Sequence, residues 1–308
     1  MATRPFRFGV SGQRATRAEW QELARKAEDL GFSTLLLPDH FGRQMSALPA
    51  LQAAAHATQR LKVGTIVLDN DFRHPVVLAK DIATMDVMTD GRVELGIGAG
   101  WMKADYRWSG LPFDPPGVRV ARLGEAVQII RALFAEGPVT FEGQYYQVHE
   151  LEGFPKPVQR PRLPILIAGS RKRMLTLAAQ HADIVGIEDH QFAERATGST
   201  TIHPAIAGEQ VALVRAAAAE RYGHLELNVF AARVVMTDTP QQAAETMAAQ
   251  LQTTPEAVLG SASFLIGSVD SIVRTLQQRR EQWDLSYIMV FDRVMDAFAP
   301  VVARLSGT

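Results

Sequence analysis

Four short stretches carry residues whose types and spacing suit chemistry. The first, RVELGIGAGW (92–101), breaks into glycine at every second position, Gly96, Gly98 and Gly100, and ends on Trp101. A strand stripped of side chains lets something come close to its backbone, either neighbouring chain or a ligand. Small residues that alternate along a strand also fill barrel interiors in layers, which accounts for Gly96 and leaves Gly98 open between the two readings. Ala99 and Gly100 fall at the strand's C-terminal end, where the approach of a planar ring explains the missing side chains better than packing does. A dinucleotide fingerprint is excluded, because Trp101 stands where its third glycine would be and no helix opens directly afterwards.

The second stretch is PILIAGSRKRM (164–174), which reads as a strand, Gly169, Ser170 as helix N-cap, and then Arg171, Lys172 and Arg173 in the first helical turn. Cations there oppose the helix dipole by about 0.3–1 kcal/mol each, a conflict that a bound anion removes. The turn therefore reads as a phosphate cradle, with solvated surface cations as the alternative. Third, LLLPDHF (35–41) places Asp39 and His40 side by side on extended chain, so their side chains point apart. His40 suits a general acid or a hydrogen-bond donor to a ligand carbonyl, or a structural histidine. Fourth, Asp69, Asn70 and Asp71 suit a turn. Neither they nor Glu188, Asp189 and His190 have the further ligands at fixed spacing that a metal site needs, so no metal is assigned.

Eight apolar runs must position these groups: FRFGV (6–10), STLLL (33–37), LKVGTIVL (61–68), RVELGIG (92–98), PILIA (164–168), ADIVGI (182–187), LNVFAARVVM (227–236) and SYIMVF (286–291). Most are continuous, as in parallel sheets covered on both faces. Helical periodicity fills the intervals: Trp20, Leu23, Ala24, Ala27 and Leu30 recur up to Gly31, Pro75 opens the next pattern, and Leu123, Ala126, Val127, Ile130, Leu133 and Phe134 share one face. Strict β-then-α order predicts the α/β class and a (β/α)8 TIM barrel, one domain over 1–308. Residues 101–118, 138–160, 188–203 and 253–263 exceed a minimal barrel and are read as insertions, mostly at the C-terminal face. The segments 48–59 and 75–88 are apolar or alanine around most of their circumference, which calls for cover by insertions or by a second subunit; a homodimer is expected.

Composition narrows the partners. The 308 residues are 47% hydrophobic and 21% charged, with 32 basic against 33 acidic residues, so no positive field recruits nucleic acid or an anionic membrane. Cysteine is absent, which removes disulfides, thiolate metal sites and cysteine nucleophiles. The N-terminal stretch has no signal-like apolar run and nothing approaches the roughly 18 apolar residues of a membrane span. A cytoplasmic enzyme acting on a small molecule is expected.

Taken together, PDHF, the GT-V-L pattern followed by RHP, GRVELGIGAGW, VRVARLGEAVQIIRALF, VTFEGQYY and PILIAGS closely resemble the luciferase-like flavin and deazaflavin oxidoreductases, and among them the branch that uses the deazaflavin F420. The resemblance covers about residues 6–190. It implies a tricyclic ring at the barrel mouth and a non-proline cis peptide, here Ile66–Val67, in a bulge that ends strand three. It further implies ring or ribityl contacts from Ala99, Gly100, Met102 and Tyr106, with Asp39, His40, Ile66, Val67 and Leu68 also in the cofactor site. The phosphate would rest on Ala168, Gly169 and Ser170. Beyond what the resemblance implies, Arg171, Lys172 and Arg173 are expected to meet the glutamate carboxylates of the deazaflavin tail. One departure stands out: some deazaflavin dehydrogenases place a glutamate after the last glycine as proton donor, and this chain has Trp101. The acid role falls to His40 first and Asp105 second. The resemblance implies hydride transfer at the deazaflavin C5, with an FMN monooxygenase served by a separate reductase as the alternative. A glycosidase-like barrel would need paired carboxylates, for which Glu188 and Asp238 alone qualify.

Overall fold

The computed structural model describes residues 4–189 and 206–308. Its strands, in chain order, are β1 (Arg7–Ser11), β2 (Thr34–Leu37), β3 (Lys62–Thr65), β4 (Leu68–Asp69), β5 (Val93–Gly98), β6 (Pro138–Glu142), β7 (Gln147–Glu152), β8 (Ile165–Gly169), β9 (Ile184–Ile187), β10 (Glu226–Ala231), β11 (Arg233–Met236), β12 (Phe264–Gly267) and β13 (Leu285–Phe291). The helices are α1 (Arg17–Asp29), α2 (Ala47–His56), α3 (Pro75–Met88), α4 (Lys103–Ser109), α5 (Pro116–Phe134), α6 (Lys172–His181), α7 (Ile206–Ala218), α8 (Pro240–Leu251), α9 (Pro255–Gly260), α10 (Val269–Trp283) and α11 (Met295–Leu305). The main sheet runs β3-β2-β1-β13-β10-β9-β8-β5-β4, and β3 pairs β5 as well. With β3 and β4 sharing the third position, this is the eight-strand order of a (β/α)8 barrel.

Two compact units divide the chain. One comprises Gln13–Arg25 and Leu35–Ile167. In it, the run 61–68 is not one strand: β3 stops at Thr65, the Ile66–Val67 peptide is cis, and β4 resumes at Leu68. Both halves pair with β5 in parallel, Gly64 opposite Glu94 and Asp69 opposite Gly98. Insertion 101–118 contains α4, and 138–160 contains the antiparallel hairpin β6–β7. The chain returning from that hairpin is held by the buried Asp86 carboxylate, which accepts the Val158 N–H at 2.8 Å, the Gln159 N–H at 3.2 Å and the Gln159 side-chain amide at 2.7 Å. Helix α3 buries Leu78, Ala79, Ile82, Ala83 and Met85 and leaves Val77, Val87 and Met88 exposed.

The other unit gathers β1, Lys26–Thr34 and Ala168–Thr308. Here β13 pairs in parallel with β1 and β10, and β10 with β9. The run 227–236 also divides: after Ala231 the chain leaves the barrel sheet, and β11 pairs in parallel with β12 in a sheet of two. Ala244, Ala248, Ala257, Val258, Phe264 and Ile266 make a separate small core over it. The run 253–263 is thus the approach to a short strand, with α9 inside it. Among the described residues no helix is long and apolar enough to cross a membrane, and no cluster of three His, Cys, Asp or Glu side chains is spaced for a metal.

Candidate active site

The three glycines answer to different neighbours. A Cβ on Gly96 would collide with the Thr65 carbonyl, and the Thr65 hydroxyl completes the contact by donating to Gly96 O at 2.7 Å and accepting the Gly96 N–H at 2.9 Å. A Cβ on Gly98 would lie 2.7 Å from Val67 Cγ2, so Gly98 makes room for the residue that follows the cis peptide. Gly100 has φ +72°, and its Cβ would strike the Tyr106 hydroxyl and the Asp69 carboxylate. This corrects the expectation that Gly100 lacks a side chain because a ligand approaches it: the space is taken by the protein's own polar groups. Ala99 and Gly100 keep part of their surface exposed, as do Ile66, Val67 and Met102. Their carbonyls are gripped from the other side by Arg119 of α5, at 2.9 Å to Ala99 O and closer to Gly100 O. The same guanidinium donates to Asp114 O at 2.9 Å and sits 4.2 Å over the Phe113 ring.

Beneath this shelf lies a buried acidic network. The Tyr106 hydroxyl is 3.1 Å from Asp69 Oδ1 and 3.0 Å from Asp71 Oδ2, and it has one proton to give. Arg122 pairs with Asp71 at 2.8 Å and with Asp114. Asp69 is the member that takes up a proton: burial pushes its carboxyl up to about 6, against hydrogen bonds from the Asp71 N–H and Tyr106 that pull it down. Burial, then the charges of Asp69 and Asp71, drive the Tyr106 hydroxyl upward as well. Tyr106 is 1% exposed and Leu68 is buried, so both support the shelf from within. The same holds for Asp39, whose carboxylate is occupied by Arg73, at 2.5 and 3.1 Å, and by the Asp69 N–H at 3.2 Å.

His40 and Asp105, ranked as competing acids, are brought together. His40 Nδ1 is 2.7 Å from Asp105 Oδ2, while Asp105 Oδ1 accepts the Phe41 N–H at 3.1 Å. Asp105 is 2% exposed and His40 partly exposed, so the carboxylate holds the ring and Nε2 is the edge left to face a reactant. Trp101, 44% exposed, meets His40 edge-on at 5.9 Å. Arg73, Arg119 and Arg122 were not singled out from the sequence. Arg73 stands in the RHP motif and Arg119 and Arg122 in VRVARL, where arginines on an apolar helix face signal buried pairing.

In the other unit, β8 ends at Gly169 and α6 begins at Lys172. The N-cap is Arg171, one residue later than expected, and no side chain caps the helix. Ser170 stays in the bend before it, partly exposed with Ala168 and Gly169, while Arg171, Lys172 and Arg173 are exposed. These four residues border a cavity of about 550 Å³ together with Glu188, Asp189, Glu209 and Gln210. Asp189 is spoken for: it accepts the Ser261 hydroxyl at 2.8 Å, the Ala262 N–H at 2.5 Å and the Ser263 hydroxyl. His190, weighed with Glu188 and Asp189 as a metal ligand, lies outside the described residues.

A family model described as luciferase-like monooxygenase matches residues 3–301. The chain belongs to that family. Within it, an F420-dependent glucose-6-phosphate dehydrogenase of Microbacterium testaceum is 37% identical over 191 residues, 59% of this chain and 56% of the relative. Its counterpart in Nakamurella multipartita is 35% identical over 193 residues, again 59% and 56%. The chain therefore spans just over half the length of these curated relatives. Among solved structures, an F420-dependent secondary alcohol dehydrogenase in complex with an F420–acetone adduct superposes with TM-score 0.78 at 18% identity, covering 98% of this chain and 99% of that one. A long-chain alkane monooxygenase reaches 0.75 at 15%, covering 99% and 92%. At such identities these two establish the fold, the luciferase-like (β/α)8 barrel.

Proposed function

We propose that this luciferase-like chain is an F420-dependent oxidoreductase that acts over 1–308 as one catalytic domain on a small organic substrate. The observation that carries the reading is the partly exposed Ala99–Gly100 shelf, its carbonyls clamped by Arg119, in the same unit as a His40–Asp105 pair. The F420-dependent relatives at 35–37% identity support the choice of cofactor. When bound, a deazaflavin supplies hydride exchange at its C5.

The chain's own residues do the rest. Ile66, Val67, Ala99, Gly100 and Met102 offer the ring a preorganised backbone surface, with Asp39, Leu68 and Tyr106 fixing it from within. Ala168, Gly169, Ser170 and Arg171 take the phosphate at the start of α6, where the helix dipole favours an anion. His40 holds or moves the substrate's proton at Nε2, and Asp105 orients the ring and sets its tautomer. Trp101 orients His40 and helps keep water away. We further propose a homodimer that covers the apolar residues left exposed on α3; sedimentation of the purified protein tests it, and a monomer at all concentrations refutes it.

The test of function is loss of the deazaflavin absorption band under argon when the F420-loaded protein receives a sugar 6-phosphate or a secondary alcohol, or its return when the reduced form receives a carbonyl or enone. An FMN monooxygenase would instead consume oxygen when given FMN and a reductase. Such consumption, with no F420 turnover, would replace the reading.

A further inference from the structure

The cavity at the start of α6 is bordered by a residue with a polar group that the described residues leave unmatched. Gln210 of α7 is 5% exposed, and its amide nitrogen donates to Ser170 O at 3.0 Å and to Glu188 O at 2.7 Å. Two carbonyl acceptors fix which end of the amide is NH2, since a flipped amide would set oxygen against oxygen twice. The oxygen at the other end, Oε1, is buried with no hydrogen-bond partner among the described residues. A buried carbonyl without a partner is costly unless something supplies a donor.

The charges around it say what kind of donor. At one side stand the α6 N-terminus, Ser170 and the cations Arg171, Lys172 and Arg173; Glu188 and Glu209 also line the cavity. A second anion set against Gln210 would meet carboxylates and an acceptor. A ligand that carries phosphate and, just beyond it, an N–H donor satisfies both. We propose that this cavity recognises the first amide N–H of the cofactor's glutamyl tail through Gln210 Oε1, which makes Gln210 the residue that distinguishes a tailed deazaflavin from a cofactor ending at its phosphate. The proposal rests on the F420 reading above and adds a tail-specificity residue to it. The exposed cations hold the tail's carboxylates further out.

Binding rather than turnover tests it, by ring fluorescence titration with F420, with the form lacking glutamates, and with FMN. The wild-type protein is expected to bind the tailed form about three- to tenfold more tightly than the glutamate-free form, the range of one hydrogen bond plus modest charge pairing. In Gln210→Met that ratio falls toward one. Damage to the cradle weakens both forms together and leaves the ratio standing, so the ratio separates recognition from folding. Arg171→Gln lowers the ratio only in part, and added salt erodes what remains in Gln210→Met. A wild-type ratio near one, or a ratio unchanged in Gln210→Met, overturns the proposal while F420 binding itself stands. Competitive displacement of the tailed form by glucose 6-phosphate overturns it too, and gives the cavity to a phosphorylated substrate. Binding of FMN with no binding of either deazaflavin overturns the cofactor reading first.

Discussion

The shelf at Ala99–Gly100 and the turn between β8 and α6 are both backbone platforms at the ends of barrel strands, and they are built in opposite ways. The shelf is held from outside its own strand. Arg119 grips its carbonyls, Tyr106 and Asp69 fill the space below Gly100, and Arg73 and Arg122 neutralise the flanking aspartates. The α6 turn has no side-chain cap, exposes three cations and is bordered by a buried amide oxygen without a partner among the described residues. A surface that must stay flat is made rigid by the protein's own hydrogen bonds. A surface that must hold a charged chain leaves polar groups for the ligand to satisfy. Rigidity and receptivity are thus assigned to different residues, so mutations in the two places should fail differently.

The largest effect belongs beside the shelf. His40→Ala should lower turnover by roughly 10²- to 10⁴-fold, the usual worth of a positioned acid or base. A loss under tenfold would move the proton to another group. Next is the shelf itself. Gly100→Ala combines a positive φ with collisions against Tyr106 and Asp69, and should cost about 2–5 kcal/mol in urea unfolding. Gly110 has φ +75° with nothing within 4 Å, so Gly110→Ala isolates the backbone part and should cost only about 1–2 kcal/mol. Equal costs would remove the buried network from the account.

A pH series sharpens the same point. The folded-state value of Asp69, about 6, lies above its ordinary 3.8, so the stability tied to its proton is present in acid and lost as pH rises through 6. At pH 8 the buried carboxylate costs up to about 3 kcal/mol. Asp69→Asn should therefore gain on the wild type between pH 5 and pH 8, read from urea midpoints; a constant difference would contradict the assignment. The smallest effects belong to the receptive half. Lys172→Ala or Arg173→Ala should weaken F420 binding about two- to fivefold, less so at high salt, without changing turnover at saturation.

What the sequence made legible follows the same divide. Continuous apolar runs and β-then-α order predicted the barrel, and the Gly-Ser-Arg-Lys-Arg turn was visible because cations at a helix start conflict with the dipole. The apolar pattern of LKVGTIVL does not mark its break after Thr65; only the family resemblance placed a bulge with a cis peptide at Ile66–Val67, where the structure has it. FLIG (264–267) was too short to register as a strand at all. The shelf was recognised by its glycines but assigned to the wrong neighbour, because sequence shows that a side chain is missing and not what occupies its place. The His40–Asp105 contact spans 65 residues, and the pairing of Gln210 with Ser170 spans 40. Tertiary structure makes these, and no local pattern announces them.

The most direct measurement is an anaerobic titration of the purified protein with F420 and, separately, with FMN, followed by ring fluorescence. The account predicts saturable, stoichiometric F420 binding at least about tenfold tighter than FMN, equivalent to about 1.4 kcal/mol. FMN binding as tight as F420 binding, or no F420 binding by the folded protein, would contradict it.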